Sequence, residues 1–203
     1  MIRAFLAVEL SQELRVQLAT IQQELKRKIE PEMKQHMRIS WAQPASIHLT
    51  IKFLGDMDEQ VIDSLLVAIE QAIGNQTAVN VPLERLGVFP RPQSPRVLWV
   101  GPSENWERGA EGRRVAGIHG AIEHACEGLG FLRETKPFSP HLTFARIKGG
   151  ERHIGVVLTK GGVLERTLSL GALAVESVVL MKSELRSTGS VYTRLWAARL
   201  KAG

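Results

Sequence analysis

Ile47-His48-Leu49-Thr50-Ile51-Lys52-Phe53 and Pro140-His141-Leu142-Thr143-Phe144-Ala145 are the stretches on which the fold turns. Each sets His-Leu-Thr in a short apolar run, which reads as a strand. Side chains alternate faces along a strand, so His48 and Thr50 project together while Leu49, Ile51 and Phe53 point the other way. Lys52 has the parity of His48 and Thr50 and is expected to reach the same side. Two such strands side by side would supply two imidazoles that titrate near neutral pH and two hydroxyl donors for an anion between them. That combination points to phosphate chemistry by metal-free acid/base catalysis. A lone His-x-Thr on a strand is usually structural, its imidazole satisfied by one hydrogen bond. Two copies with the same middle residue, in a chain with only six histidines, favour a shared site.

Outward from these stretches, the first residues Met1 to Leu10 read as a strand. Ser11 is a good N-cap for an amphipathic helix carrying Leu14, Leu18, Ile21, Leu25 and Ile29, ending near Pro31. A strand-like patch from Arg38 to Trp41 and a turn at Pro44 precede the first His-Leu-Thr strand, which ends at Gly55. Asp56 and Glu59 read as a capping-box pair before a second helix with Val61, Leu65, Ile69 and Ile73, closed by Gly74. Strands are expected over 79–89 and 97–101, separated by the turn cluster Pro90, Pro92 and Pro95. Ser103 to Gly112 reads as a polar loop crossing between lobes. A third helix comes next with Val115, Ile118, Ile122, Ala125 and Leu129, stopped by Gly130. From Lys148 to Gly171 the expectation is a loop with a short helix or turn. An apolar stretch from Ala172 to Leu185, a turn at Ser187-Thr188-Gly189 and a strand from Val191 to Leu200 complete the chain. Each half thus holds a helix and a His-Leu-Thr strand, suggesting a structural pseudo-repeat.

The 203 residues suffice for one domain of two lobes or two small domains with a sizeable core. Composition is that of a soluble globular protein. The net charge of +5 is compatible with a nucleic acid or another polyanion as partner. One cysteine, Cys126, excludes an intrachain disulfide and reads as a small core residue. The N-terminal run is interrupted too soon, at Glu9, for a signal peptide, and no segment has the length of a membrane span. A cytoplasmic setting is the default expectation.

In-line opening of a cyclic phosphodiester needs a base where water attacks and an acid where the leaving oxygen departs, each worth roughly 10²–10⁴ in rate. His48 and His141 meet that need, and Thr50 and Thr143 would hold the non-bridging oxygens. The residues alone leave open which histidine is acid and which is base. No cluster of metal-ligand residues accompanies either motif, and His119 and His124 are spaced by five, off a common helix face. His36 and His153 lack sequence partners. Arg146 has the opposite parity to Thr143 and would point away unless the strand ends or bulges there. Arg96, Lys182, Arg186 and Arg194 are further basic candidates, and Phe5, Trp41, Phe138 and Tyr192 are the available stacking surfaces for a base.

At this level of detail the chain resembles the two-histidine (2H) phosphoesterases, specifically the bacterial and archaeal RNA 2′,3′-cyclic phosphodiesterases, also described as LigT-type 2′-5′ RNA ligases. The resemblance rests on an ordered set: Arg3-Ala4-Phe5-Leu6-Ala7-Val8; His48-Leu49-Thr50-Ile51-Lys52-Phe53-Leu54-Gly55; Arg96-Val97-Leu98-Trp99-Val100-Gly101; Pro137-Phe138-Ser139-Pro140-His141-Leu142-Thr143-Phe144-Ala145-Arg146; and Ser183-Glu184-Leu185 through Gly189 to Tyr192-Thr193. It implies an α+β fold over residues 1–203 as one bilobal domain with pseudo-twofold symmetry. Two antiparallel sheets would face each other across a central cleft, with helices outside and one His-x-Thr motif per lobe. It implies hydrolysis of a 2′,3′-cyclic phosphate at an RNA or nucleotide end to a 2′-phosphomonoester, with reversible 2′-5′ ligation as an accompanying activity. His48 would be proton donor and His141 proton acceptor, assisted by Thr50 and Thr143, with Lys52, Arg146, Phe5 and Tyr192 binding substrate. No metal or organic cofactor, no membrane and a monomeric state are expected. Alternatives are a phosphodiesterase for a small cyclic nucleotide or 2′-5′ oligonucleotide, and a non-catalytic RNA- or nucleotide-binding module.

Overall fold

A computed structural model describes residues 1–186 and 189–203. The chain begins with strand β1 (Ile2–Val8) and helix α1 (Gln12–Ile29), whose N-cap Ser11 accepts the Leu14 N–H. Strand β2 (Arg38–Trp41) and the first motif strand β3 (Leu49–Met57) come next, then α2 (Ile62–Ile73). Beyond them lie β4 (Val79–Pro82), β5 (Arg85–Phe89), β6 (Val97–Gly101), α3 (Glu104–Arg108) and α4 (Ala110–Glu127). The second motif opens β7 (Leu142–Gly149), succeeded by α5 (Glu151–Lys160), β8 (Ala172–Val175), β9 (Ser177–Arg186) and β10 (Gly189–Arg199).

The principal sheet is antiparallel, ordered β10-β9-β1-β3-β7-β6-β5, with β2 also on β7. Among the described residues its two halves meet only at Leu49 and Leu142, the one residue pair between β3 and β7. Beyond Leu142 the same edge of β7 is taken by β2, from Ala145 to Gly149. The sheet therefore splits beside the two motifs, and the expected pair of antiparallel sheets is realised as two halves joined at that single pair. Leu49 and Leu142 are each 1% exposed, and burial of such side chains stabilises by roughly 1.5–3 kcal/mol each. The junction is thus an apolar rivet, with the histidines and threonines on its other face.

The main core gathers one side of the strands with the apolar faces of the helices. Leu14, Leu18, Ile21, Leu25 and Ile29 of α1 and Leu65, Ile69 and Ile73 of α2 are buried as their spacing requires. Cys126 is wholly buried, and burial pushes its thiol up to about 11, so it is a protonated core residue. A second small cluster of Phe5, Ala7, Val179 and Met181 lies on the opposite face of β1 and β9.

Several local expectations are corrected. The 79–89 segment is two strands in different sheets, because Pro82 offers no N–H and β4 leaves to pair with β8 while β5 pairs with β6. Asp56 lies in β3, and Asp58 is the cap, accepting the Gln60 N–H ahead of a short 3₁₀ turn. The 103–112 segment is helical: Ser103 caps α3, and α4 begins at Ala110. Gly112 permits that packing, since a Cβ there would collide with the Glu107 carbonyl. The glycine-bracketed stretch after Lys148 contains all of α5. The turn expected at Ser187-Thr188 lies outside the described residues.

Candidate active site

The first two residues after each motif threonine decide the site. Along β1 and β3, Ala7 pairs with Thr50 but its neighbour Leu6 pairs with Lys52, so Ile51 is an extra residue. Along β6 and β7, Trp99 pairs with Thr143 but Leu98 pairs with Ala145, so Phe144 is extra. Each strand carries a β-bulge at the same place relative to its threonine, which reverses the parity of the residues beyond it. Ile51 and Lys52 are consequently both buried, as are Phe144 and Ala145. Phe53 and Arg146, three residues beyond their threonines, turn back onto the motif face. The Phe144 carbonyl accepts the Ala42 N–H at 2.8 Å and Gln22 Nε2 at 3.3 Å.

Extending the Leu49–Leu142 register by one residue each way sets Thr50 level with His141 and His48 level with Thr143. Diagonal neighbours in such a ladder, here the two histidines, stand roughly 7–8 Å apart, a separation able to flank one phosphate. Both rings are held alike. His48 Nδ1 donates to the Ser46 carbonyl and His141 Nδ1 to the Ser139 carbonyl, each at 2.8 Å. A donating Nδ1 leaves each Nε2 to accept a proton in the neutral ring or give one in the imidazolium. His48 stacks on Phe5 at 4.7 Å and 28°, and Tyr192 meets it edge-on at 5.2 Å. Phe89 meets His141 edge-on at 5.0 Å, and Trp99 lies 6.2 Å away.

Burial depresses the pKa of both imidazoles, partly opposed by the carbonyl acceptors. The positive charge of Arg146 depresses both further, as does that of Arg15 at His48. Arg146 therefore acts electrostatically on both motifs.

A cleft of about 650 Å³ opens on this face. Its wall includes His48, Thr50, Thr143, Arg146, Phe5 and Tyr192, together with Phe53, Trp41, Arg3 and Lys148. His141 is not part of that wall; Thr143, two residues on, is, and the His141 ring packs on Phe89 and Trp99. The expectation for Lys52 is overturned: the bulge turns it away, its side chain is 3% exposed, and its ammonium lies 2.9 Å from each oxygen of Glu123. Phe53, expected on the core side, is 66% exposed on the cleft wall. Phe5 is on the wall too, but its face is covered by His48, so it seats the histidine and offers no stacking face to a base.

Arg96, Lys182, Arg186 and Arg194 do not line the cleft; Lys182 and Arg186 pair with Glu184, and Arg194 with Glu9. Phe138 is stacked on His119 away from the wall. Among the described residues no group of three or more His, Cys, Asp or Glu is placed to hold a metal ion. Sequence reasoning missed Lys148 and the residue two before each histidine. The signal for the latter was present as Ser-x-His-Leu-Thr in both copies.

Fold and site together define a phosphoesterase with one histidine motif from each half of a split sheet. A family model described as LigT like phosphoesterase matches residues 8–99. The RNA 2′,3′-cyclic phosphodiesterase of Aquifex aeolicus is 30% identical over 171 residues, covering 84% of this chain and 86% of that protein. The RNA 2′,3′-cyclic phosphodiesterase of Methanothermobacter thermautotrophicus is 29% identical over 199 residues, 98% of this chain and 99% of the relative. The crystal structure of E. coli LigT complexed with 3′-AMP superposes with a TM-score of 0.72 at 21% identity, covering 98% of each chain, a likeness of fold. The chain belongs to the LigT-like phosphoesterase family.

Proposed function

We propose that this protein hydrolyses 2′,3′-cyclic phosphate ends of RNA, or of nucleotides, to 2′-phosphomonoesters. The observation that carries the reading is the paired presentation of His48 and His141 across the single-pair junction, each with Nδ1 engaged by a carbonyl and Nε2 available. His141 Nε2 takes a proton from water as its oxygen attacks phosphorus. The P–O3′ bond breaks in line, and protonated His48 gives its Nε2 proton to the departing O3′. Assignment of donor and acceptor rests on the family resemblance. Hydroxyls of Thr50 and Thr143 and the Arg146 guanidinium face the non-bridging oxygens, where charge grows. Ligation to a 2′-5′ linkage is the same in-line step with a 5′-hydroxyl attacking in place of water: His141 takes the hydroxyl proton, the P–O3′ bond breaks and His48 protonates O3′; cleavage of that linkage is its reverse.

Phe53 and Tyr192 offer aromatic surface to the terminal base. Arg3 and Lys148 add positive charge to the cleft beyond what one phosphate requires, which favours an oligonucleotide over a mononucleotide. All these residues belong to one chain, which supports action as a monomer, as one bilobal unit. No described helix is long and apolar enough to cross a membrane, and a cytoplasmic setting is proposed. The donor set supports catalysis without a metal or organic cofactor.

The test is a product assay on an RNA ending in a 2′,3′-cyclic phosphate beside its mononucleotide analogue, with and without EDTA. A 2′-phosphate product, EDTA-insensitive rates and an oligonucleotide KM that rises more steeply with salt are expected. Loss of activity on chelation, restored by a divalent ion, would overturn the metal-free mechanism. Equal salt dependence would shift the assignment to small nucleotides.

A further inference from the structure

The Lys52–Glu123 pair is buried on both sides, 4% and 2% exposed, and its remaining polar bonds go to one place. Lys52 Nζ donates to the Leu132 carbonyl at 2.8 Å, and Glu123 Oε2 accepts the Glu134 N–H at 3.0 Å. Leu132 and Glu134 lie in the segment between α4 and β7, which has neither helix nor strand from Phe131 to His141 and delivers the second motif. The Leu132 side chain is 92% exposed, and between Phe131 and Phe138, which pack against the core, residues 132–137 are exposed, so that stretch is held through its backbone. Farther along, Phe138 stacks on His119 at 4.2 Å and 13°, and His119 Nε2 is 3.7 Å from Glu123 Oε1. The segment ends at Leu142, paired with Leu49. It is therefore fastened at both ends to β3, through Lys52 and through Leu49, with Thr50 between them.

We propose that Lys52 and Glu123 are positioning residues for the second motif. By clamping the approach segment to the first motif's strand, they set the Ser139 carbonyl and His141 relative to His48 and Thr50. A buried ion pair is poor evidence of stabilisation, because well-packed apolar replacements are often as stable or more so. What an apolar pair cannot do is bond the Leu132 carbonyl and the Glu134 N–H. Burial opposes the Glu123 charge, yet the Lys52 ammonium and the Glu134 N–H hold its carboxyl below the usual range, so Glu123 meets its two donors as a carboxylate. The proposal rests on the reading of His141 as a catalytic residue.

Three variants separate positioning from folding. Glu123→Gln strands a buried ammonium and should lower both the melting temperature and kcat. Lys52→Met/Glu123→Leu removes both charges and should recover the melting temperature while kcat for a cyclic phosphate stays at least ~10-fold down with KM little changed, since small misplacements of a reacting group cost rate before binding. Glu134→Pro removes the N–H that Glu123 accepts and should lower kcat with the ion pair intact. Wild-type kcat in the folded double variant, or in Glu134→Pro should the double variant fail to fold, would overturn the proposal. A substrate-free arm tracks the imidazole ring resonances by NMR, assigned with His48→Asn and His141→Asn. In the same variants the His141 signals should move and those of His48 stay, whereas unmoved His141 signals would refute the clamp. Were wild-type protein inactive on cyclic phosphates, the functional reading would fail while the NMR arm still decided the clamp.

Discussion

The His48 strand and the His141 strand share His-Leu-Thr, a bulge one residue later and a ring anchored on the carbonyl two residues earlier. They part company at the next two positions. After the bulge, β3 buries Lys52 and exposes Phe53, while β7 buries Ala145 and exposes Arg146. One half thus offers an aromatic surface where the other offers a guanidinium. A site with a base on one side and a phosphate in the middle calls for that inequality. The local geometry is a duplicated frame for two imidazoles, and under the proposed function the residues just past the frame would divide the substrate between the halves. The approach differs too: a short 3₁₀ turn (Pro44–Ser46) leads into His48, whereas a long irregular segment leads into His141.

If the two histidines are equal in kind, removing either is the largest perturbation. His48→Ala and His141→Ala should each lower kcat on a cyclic phosphate by at least ~10²-fold with the circular dichroism spectrum retained. Near-wild-type turnover in one alone would break the symmetry of the frame.

The inequality past the bulge predicts a split in kinetic constants. Arg146→Ala should reduce kcat, by ~10-fold or more, because its charge meets charge that grows in the transition state. Phe53→Ala should chiefly raise KM, since stacking of a base is worth roughly 1–3 kcal/mol whether or not the reaction proceeds. Steady-state kinetics of the two variants side by side checks this, and the reverse pattern would exchange the roles.

Dependence on pH sharpens the same comparison. Burial lowers both imidazole pKa values, and Arg146 lowers both further. A lowered pKa keeps each ring neutral to lower pH, so the singly protonated pair is most populated below the ordinary value of about 6.5. The bell of kcat/KM should be centred there, its limbs belonging to the coupled pair. Removing the Arg146 charge should move both limbs upward. An optimum above about 7 in the unliganded profile would contradict the desolvated environment.

The smallest effect concerns the repeated serines. Ser46 and Ser139 hold the histidines through backbone carbonyls, which alanine also possesses. Ser46→Ala and Ser139→Ala should leave kcat within roughly 3-fold of wild type. A large loss in either would assign the hydroxyl a role that the carbonyl bond does not account for.

Sequence by itself determined the pieces whose cause is local. Period-two alternation placed His and Thr on one face over three residues, and the three/four spacing of apolar residues marked α1, α2 and most of α4. Ser11 announced its cap. Only the tertiary structure decided what lies past each threonine, because a bulge arises from pairing with a neighbouring strand and leaves no mark in the bulged strand itself. One extra residue at Ile51 sent Lys52 into the core and Phe53 into the cleft. The same insertion at Phe144 brought Arg146 to the face of the motif threonine. The partner of Lys52 was equally beyond local reading, since Glu123 is remote in sequence and sits on a helix whose start had read as loop. A charged residue on an alternating strand looks solvent-facing until the fold supplies a buried countercharge, and here α4 supplies it.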